Sequence, residues 1–360
     1  MSNDGERPVG EGTSIWQKAP SLRTMNTQHE TDAQPSAGVK QFAPVPATIL
    51  CGTDFSDEAT HAVEVAAMFA KHLGESLLLV HALNQEPQGN LPGDLRDSLA
   101  LYAQAQLHDE RERLRAFQVE AVETFRVGAP DAVLLEEAAA HDARLLVLAA
   151  AKRRSLSRWL LGGVAERVAE AAHAPTLVVR DAGPLLRWGR GQRRLRVFVG
   201  ADFSAPSEAA LRWVNWLRQL GPCDVVVAYL DPGLAPYPAA DLYPSLLADD
   251  MALKTARMQE RYFRQGVRAL LGRSRVRVRF ESNWARSDAH LIELATQERA
   301  DLIVVGTHSR RGWRRLGHHS VSRAVLHYAP LNVVCVPAHT PQESAIFFQT
   351  HQQTPEPSNP

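Results

Sequence analysis

Ile49-Leu50-Cys51-Gly52-Thr53-Asp54-Phe55-Ser56 returns further along the chain as Val197-Phe198-Val199-Gly200-Ala201-Asp202-Phe203-Ser204. Each octet is a short apolar run that ends in Gly-x-Asp-Phe-Ser and leads into an amphipathic stretch, the pattern of a buried strand turning into a helix. Ser56 and Ser204 are natural helix N-caps, and Asp57, Pro206 and Glu208 suit a first helical turn. Working outward, the run Arg144–Ala150 parallels Asp301–Thr307, and a basic loop follows each (Lys152, Arg153 and Arg154; Arg310 and Arg311). Val164–Val168 then answers Val321–Val325, and both copies close on an apolar strand, Thr176–Val179 and Val333–Val336. From Ala149 and Gly306 onward the copies align without a gap at a constant offset of 157 residues. The chain is therefore an internal duplication.

The intervening segments supply the rest of each copy. Leu77–Leu83 and Asp224–Leu230 are continuous apolar runs, as expected for strands covered on both faces. Helices are predicted over Arg96–Phe117 and Pro244–Leu271, strands over Val119–Val127 and Val276–Ser282, and shorter helices over Asp131–His141 and Ser287–Arg299. Each copy reads βαβαβαβαβ, and right-handed crossovers then require a parallel sheet. The expected fold class is α/β: two tandem, open, parallel five-stranded α/β/α sandwiches. The domains run over residues 46–181 and 196–337, joined by a linker at 182–195. Residues 1–45 and 338–360 are polar, rich in Gly, Pro, Thr and Gln and without apolar periodicity, so they read as a disordered arm and tail.

Composition narrows the class. Forty Lys and Arg balance forty Asp and Glu, so charge favours neither nucleic acid nor a membrane surface as partner. Cys51, Cys223 and Cys335 are scattered among apolar runs, which suits small buried hydrophobes rather than a disulfide framework or a zinc cluster. No apolar stretch approaches the roughly 20 residues of a spanning helix. The N-terminal MSNDGERPVGEGTS also lacks a basic start and an apolar run, so a cytoplasmic protein is expected.

The Gly-x-Asp-Phe-Ser turn after strand one, Leu302-Ile303-Val304-Val305-Gly306-Thr307 at strand four, and Ser320-Val321-Ser322 before a helix together resemble the universal stress protein family. The resemblance implies an adenine nucleotide α-hydrolase-like sheet of order 3-2-1-4-5, with ligand at the switch between strands one and four. Many members bind ATP through a loop of the form Gly-x-x-Gly, nine residues, then Gly-Ser/Thr. Glycines let the backbone approach phosphate, and the helix opened by the last step attracts an anion. The aspartate after strand one is the family's adenine- or ribose-side contact, here Asp54 beside Thr53 and Asp202 beside Ala201.

Against that pattern the second repeat offers Gly306-Thr307-His308-Ser309, nine residues, then His319-Ser320-Val321-Ser322. Ser309 and His319 replace two glycines. His319 would crowd the phosphate pocket or, if charged, contact phosphate. The first repeat has Ala149 and Lys152 for the first two glycines, keeps Gly162, and places Gly163 where the hydroxyl belongs. Neither loop is complete.

Two readings follow. One is a stress-response protein that acts as a regulatory interaction partner with degenerate nucleotide loops and an unnamed protein partner. The other is an ATP- or AMP-binding sensor, with Mg, that uses the second repeat, where Gly306, Ser320, Val321 and Ser322 match. No nucleophile–base pair can be nominated, so an enzyme is not expected beyond a slow ATPase. His308, His318 and His319 lack the spacing of a metal motif. The basic loops read as solvated arginines rather than a nucleic-acid footprint. Trp213 and Trp216 mark a core or interface face. The resemblance further implies association through strand five. Thr176–Val179 and Asn332–Val336 are expected to pair within one molecule as a pseudo-dimer, with a homodimer of chains as its extension.

Overall fold

The computed structural model describes residues 49–84, 93–150, 163–231, 246–282, 287–307 and 321–338. The arm at 1–45 and the tail beyond 338 lie outside the described residues. The first repeat runs β1 (Ile49–Gly52), α1 (Asp57–Leu73), β2 (Leu77–Leu83), α2 (Gly93–Arg115), β3 (Ala121–Val127), α3 (Pro130–Ala140), β4 (Leu145–Ala149), α4 (Gly163–Ala171) and β5 (Thr176–Val179). After α5 (Ala182–Gly189), the second repeat follows as β6 (Leu195–Gly200), α6 (Ala205–Leu220), β7 (Cys223–Asp231), α7 (Leu246–Leu271) and β8 (Val276–Ser282). It ends with α8 (Ser287–Gln297), β9 (Leu302–Thr307), α9 (Val321–Tyr328) and β10 (Asn332–Pro337). No described helix is long and apolar enough to cross a membrane.

The strands order as β3-β2-β1-β4-β5-β10-β9-β6-β7-β8, so each half is a parallel sheet, as the repeat pattern requires, in the order 3-2-1-4-5 that the family resemblance implies. The central strands are apolar at every position because helices cover both faces: Ile49, Leu50 and Cys51 of β1 and Leu145, Leu146 and Val147 of β4 are fully buried. On α1, Ala62, Ala66 and Ala70 allow close approach to the sheet, while Val63 and Phe69 fill the space between. Cys51, Cys223 and Cys335 are free and buried. Loss of solvent pushes the thiols of Cys223 and Cys335 up to about 12.

The two halves meet edge to edge. β5 and β10 pair antiparallel with Leu177 opposite Val334, residues that occupy the same position in the two repeats, so a local two-fold passes through that pair. At one end of the seam Asn332, 1% exposed, accepts at Oδ1 from the backbone N–H of Arg180 (2.8 Å) and of Asp181 (3.0 Å). Its Nδ2 donates to the carbonyls of Asp181 (2.8 Å) and Asp301 (3.0 Å), so the amide is fully used. The guanidinium of Arg180 donates across the seam to the carbonyls of Leu331 (3.0 Å) and Leu326, and its burial draws its pKa down to about 10.

The segment read as a linker contains the helix α5, with its N-cap Asp181 accepting from the Gly183 N–H. α5 packs along α1. Its Trp188 is 2% exposed and donates its indole N–H to the Pro222 carbonyl at 3.1 Å. Trp216 of α6 lies at 6.4 Å from Phe69 of α1 and at 5.6 Å from Trp213, so the tryptophan face of α6 is shared between core and the contact of the two repeats.

Candidate ligand cleft at the switch point

β1 and β4 are neighbours whose following segments leave toward opposite faces, which opens a crevice at their carboxyl ends. In the first repeat the chain leaves β1 through Thr53 and Asp54, with the Thr53 N–H still bonded to the Val80 carbonyl (3.0 Å). Phe55 turns at φ 62°, in the left-handed region a non-glycine residue seldom occupies. The turn is fixed from both sides. Thr53 Oγ1 accepts the Phe55 N–H (3.1 Å), and Asp54 Oδ1 accepts the Ser56 N–H (3.1 Å) and its hydroxyl (2.5 Å). Ser56 Oγ in turn accepts the Ala59 N–H at 3.2 Å and caps α1.

This strained turn carries the Phe55 ring onto His81 of β2, with centroids 4.4 Å apart and planes 26° apart. His81 Nδ1 lies 2.9 Å from the Thr53 carbonyl. A carbonyl only accepts, so Nδ1 carries the proton and Nε2 presents a lone pair in the neutral ring.

The crevice is a cleft of about 400 Å³, within the size range of sites for small organic ligands. Leu134 of α3, Leu148 of β4 and Val164 and Ala165 of α4 form apolar walls, and Asp54, Ser56, Glu58 and His81 stand on the polar side. A clamp joins the two helices beside it. Arg167 of α4 donates from Nε to Asp131 Oδ2 (2.6 Å) and from Nη2 to Oδ1 (3.2 Å), and this guanidinium holds the Asp131 carboxyl below its ordinary range.

The second repeat builds the same turn with a different corner. Asp202 Oδ1 accepts the Ser204 N–H (2.8 Å) and the Ser207 hydroxyl (2.7 Å), and Ser204 caps α6. Tyr229 stands where the first repeat has His81, in an aromatic group with Phe203, Phe263 and Phe280. At the tip of β9 the first turn of α6 closes against Gly306: a Cβ there would lie 2.3 Å from the backbone carbon and oxygen of Pro206. The corresponding residues of the first repeat, Ala149 and Glu58, instead line the open cleft.

Thr53 and Asp54 thus lie in the first cleft, and Gly163 is the first residue of α4 beside it. Ala201 and Asp202 follow β6, Gly306 and Thr307 end β9, and Val321 and Ser322 open α9. Lys152, Gly162, His308, Ser309, His319 and Ser320 lie outside the described residues. Sequence reasoning did not find Glu58, His81, Leu134 or Leu148. The ends of β1 and β4 follow from topology, whereas the first turns of α1 and α3 reach the cleft only through packing. Among the described residues no group of three or more His, Cys, Asp or Glu is placed to hold a metal ion.

The fold is a doubly wound α/β unit used twice, with a cleft at the switch point of the first repeat. The chain belongs to the universal stress protein family, whose model, described as "Universal stress protein family", matches residues 47–180 and 194–337. A curated relative, universal stress protein MJ0531 of Methanocaldococcus jannaschii, is 28% identical over 137 residues, which span 37% of this chain and 81% of that protein. Among solved structures, a universal stress protein from Archaeoglobus fulgidus matches with a TM-score of 0.58 at 18% identity, over 82% of this chain and 99% of that one. A functionally unknown protein, PA1789 of Pseudomonas aeruginosa, matches with a TM-score of 0.57 at 14% identity, over 81% and 92%. An Archaeoglobus fulgidus universal stress protein in complex with dAMP matches 37% of this chain and 98% of that one at 24% identity, with a TM-score of 0.31.

Proposed function

We propose that this protein is a regulatory binding protein of the stress response whose working cleft is that of the first repeat and whose ligand is an adenine nucleotide, with the second repeat as a structural half. The observation that carries the reading is the contrast at one corner. Gly306 is pressed onto the Pro206 backbone, whereas Ala149 and Glu58 border a cleft of about 400 Å³. The lining suits the ligand class. Leu134, Leu148, Val164 and Ala165 match the apolar faces of a purine, and Asp54 offers a carboxylate acceptor for sugar hydroxyls. α4 opens at Gly163 beside the cleft, where its free N–H groups favour an anion. The one hydroxyl–carboxylate contact described in the lining, Ser56 to Asp54, also caps α1 through Ser56 Oγ, a structural use, so binding rather than turnover is the expected output.

A second reading, a ligand-free interaction scaffold, is favoured by Ala149 and Lys152, which replace the phosphate-loop glycines of this same repeat. Calorimetric titration of the whole chain with Mg-ATP and with AMP separates the two. The proposal expects micromolar binding of one equivalent. Asp54→Ala and the cleft-filling Val164→Trp should each weaken it about tenfold or more, while Asp202→Ala leaves it unchanged. No heat at millimolar nucleotide sinks the nucleotide reading and leaves the scaffold. Loss on Asp202→Ala alone moves the site to the second repeat.

A further inference from the structure

The seam between the repeats carries a charge pattern that the shared backbone does not require. α4 and α9 occupy equivalent places in the two repeats and pack against each other beside β5 and β10. At the offset of 157 residues, Glu166 corresponds to Arg323 and Glu170 to His327. Because a local two-fold runs through the seam, these equivalent positions meet one another: Arg323 Nε lies 2.8 Å from Glu166 Oε1 and 3.1 Å from Glu170 Oε1, and His327 Nδ1 lies 3.8 Å from Glu166 Oε2. The side chains of Glu166 and Glu170 are 16% and 19% exposed while Arg323 is 54% exposed, so the carboxylates are held at the seam and the guanidinium reaches them from its solvent side, where salt screens the pairs in part.

Two copies of the first repeat joined in this way would set Glu166 and Glu170 against themselves, and two copies of the second would set the Arg323 guanidinium against itself, with His327 adding to the repulsion only when protonated. Like charges at that separation are strongly disfavoured. The strands make no such choice, since Leu177 and Val334 are both apolar and either would pair with its own copy. The asparagine lock repeats the preference by a separate route. The counterpart of Asn332 is Pro175, which has no side-chain amide, and the counterpart of Arg180 is Pro337, which has no N–H to offer Asn332. The lock closes fully only when the edge of the first repeat meets the edge of the second.

We infer that acid on α4, base on α9 and the single Asn332–Arg180 lock form a pairing code, through which the strand-five edge of each repeat accepts the other repeat and rejects a copy of itself. The partner of each edge is thus defined by chemistry: a basic helix face with an asparagine for the first repeat, an acidic face with a free backbone N–H for the second. A single-type stress domain lacking the opposite charge is excluded from the seam. The inference is independent of whether either cleft holds a nucleotide.

Thermal unfolding of the full chain tests it. Three variants are compared with the wild type: Glu166→Arg with Glu170→Arg, Arg323→Glu with His327→Glu, and all four together. Each half-reversed chain should lose roughly 3–10 °C in Tm, with part of the loss recovered in molar salt. The fourfold exchange restores opposite charges and should recover most of the loss. A half-reversal without effect, or a fourfold variant no more stable than the sum of the two halves, overturns the code. If the half-reversed chains do not fold, the fourfold exchange decides alone: near-wild-type unfolding supports the code, and failure to fold refutes it.

Discussion

The carbonyl of Pro206 stands 2.3 Å from the point a Cβ on Gly306 would occupy, so strand β9 and the first turn of helix α6 touch backbone to backbone. No side chain fits between them. Gly306→Ala should therefore push α6 off the sheet and cost roughly 1–3 kcal/mol, read as a lower denaturant midpoint at unchanged slope. A neutral outcome would mean that the corner is loose, and would remove the physical basis for placing the working cleft in the first repeat.

Asn332 satisfies two N–H groups and two carbonyls at the seam from a position closed to water. Asn332→Ala leaves those groups buried without partners, and a loss of roughly 2–4 kcal/mol is expected. Hydrogen exchange gives the sharper check: the Arg180 and Asp181 amides should lose protection well before those of β1 and β4.

Trp188 makes α5 an anchored element. Its indole fills the space beside Gly221, where a Cβ would come within 2.7 Å of Nε1, and its N–H is bonded to Pro222. Trp188→Ala should cost roughly 3–5 kcal/mol. Replacing 182–189 by a Gly/Ser segment of equal length should destabilise the chain comparably, although connectivity is preserved. If the flexible replacement matches wild type in Tm, α5 is only a tether.

Glu110 of α2 is 9% exposed, and its burial raises its pKa, with the Arg113 guanidinium partly opposing the shift. The folded state therefore holds the proton more tightly than the unfolded state. This contribution is most favourable below the unfolded value of about 4.3 and declines as pH climbs through the folded pKa. Glu110→Gln keeps the shape and the acceptor to Arg113 and removes the buried charge. Its Tm should exceed wild type at pH 7, and the difference should shrink at pH 4. An advantage that is constant with pH, or a loss at pH 7, would contradict this account.

Much of the candidate site was legible because its motif is local. Gly-x-Asp-Phe-Ser places Asp54 and Asp202 after the first strand of each repeat, and the serines cap the next helix as their spacing requires. What could not be read was the wall of the cleft. Leu134 and Leu148 look like ordinary core residues in a one-dimensional pattern, and His81 looks like a polar residue at a strand end. In the fold Phe55 stacks on His81 across a turn with positive φ, and that imidazole lines the cleft. Gly306 matches the family loop by sequence, and its contact with the backbone of Pro206, one hundred residues away along the chain, is visible only in the fold.

The sequence by itself determined the duplication, the alternation of strand and helix and the parallel sheets, because hydrophobic period and repeat spacing are properties of neighbouring residues; the strand order came with the family resemblance of the motifs. Tertiary structure alone decided which residues wall the cleft of the first repeat, that the connecting segment is an anchored helix, and that Glu166 faces Arg323. Those outcomes depend on contacts between residues far apart in the chain, where the close approach of one backbone or the sign of one charge selects among arrangements that local pattern leaves equal.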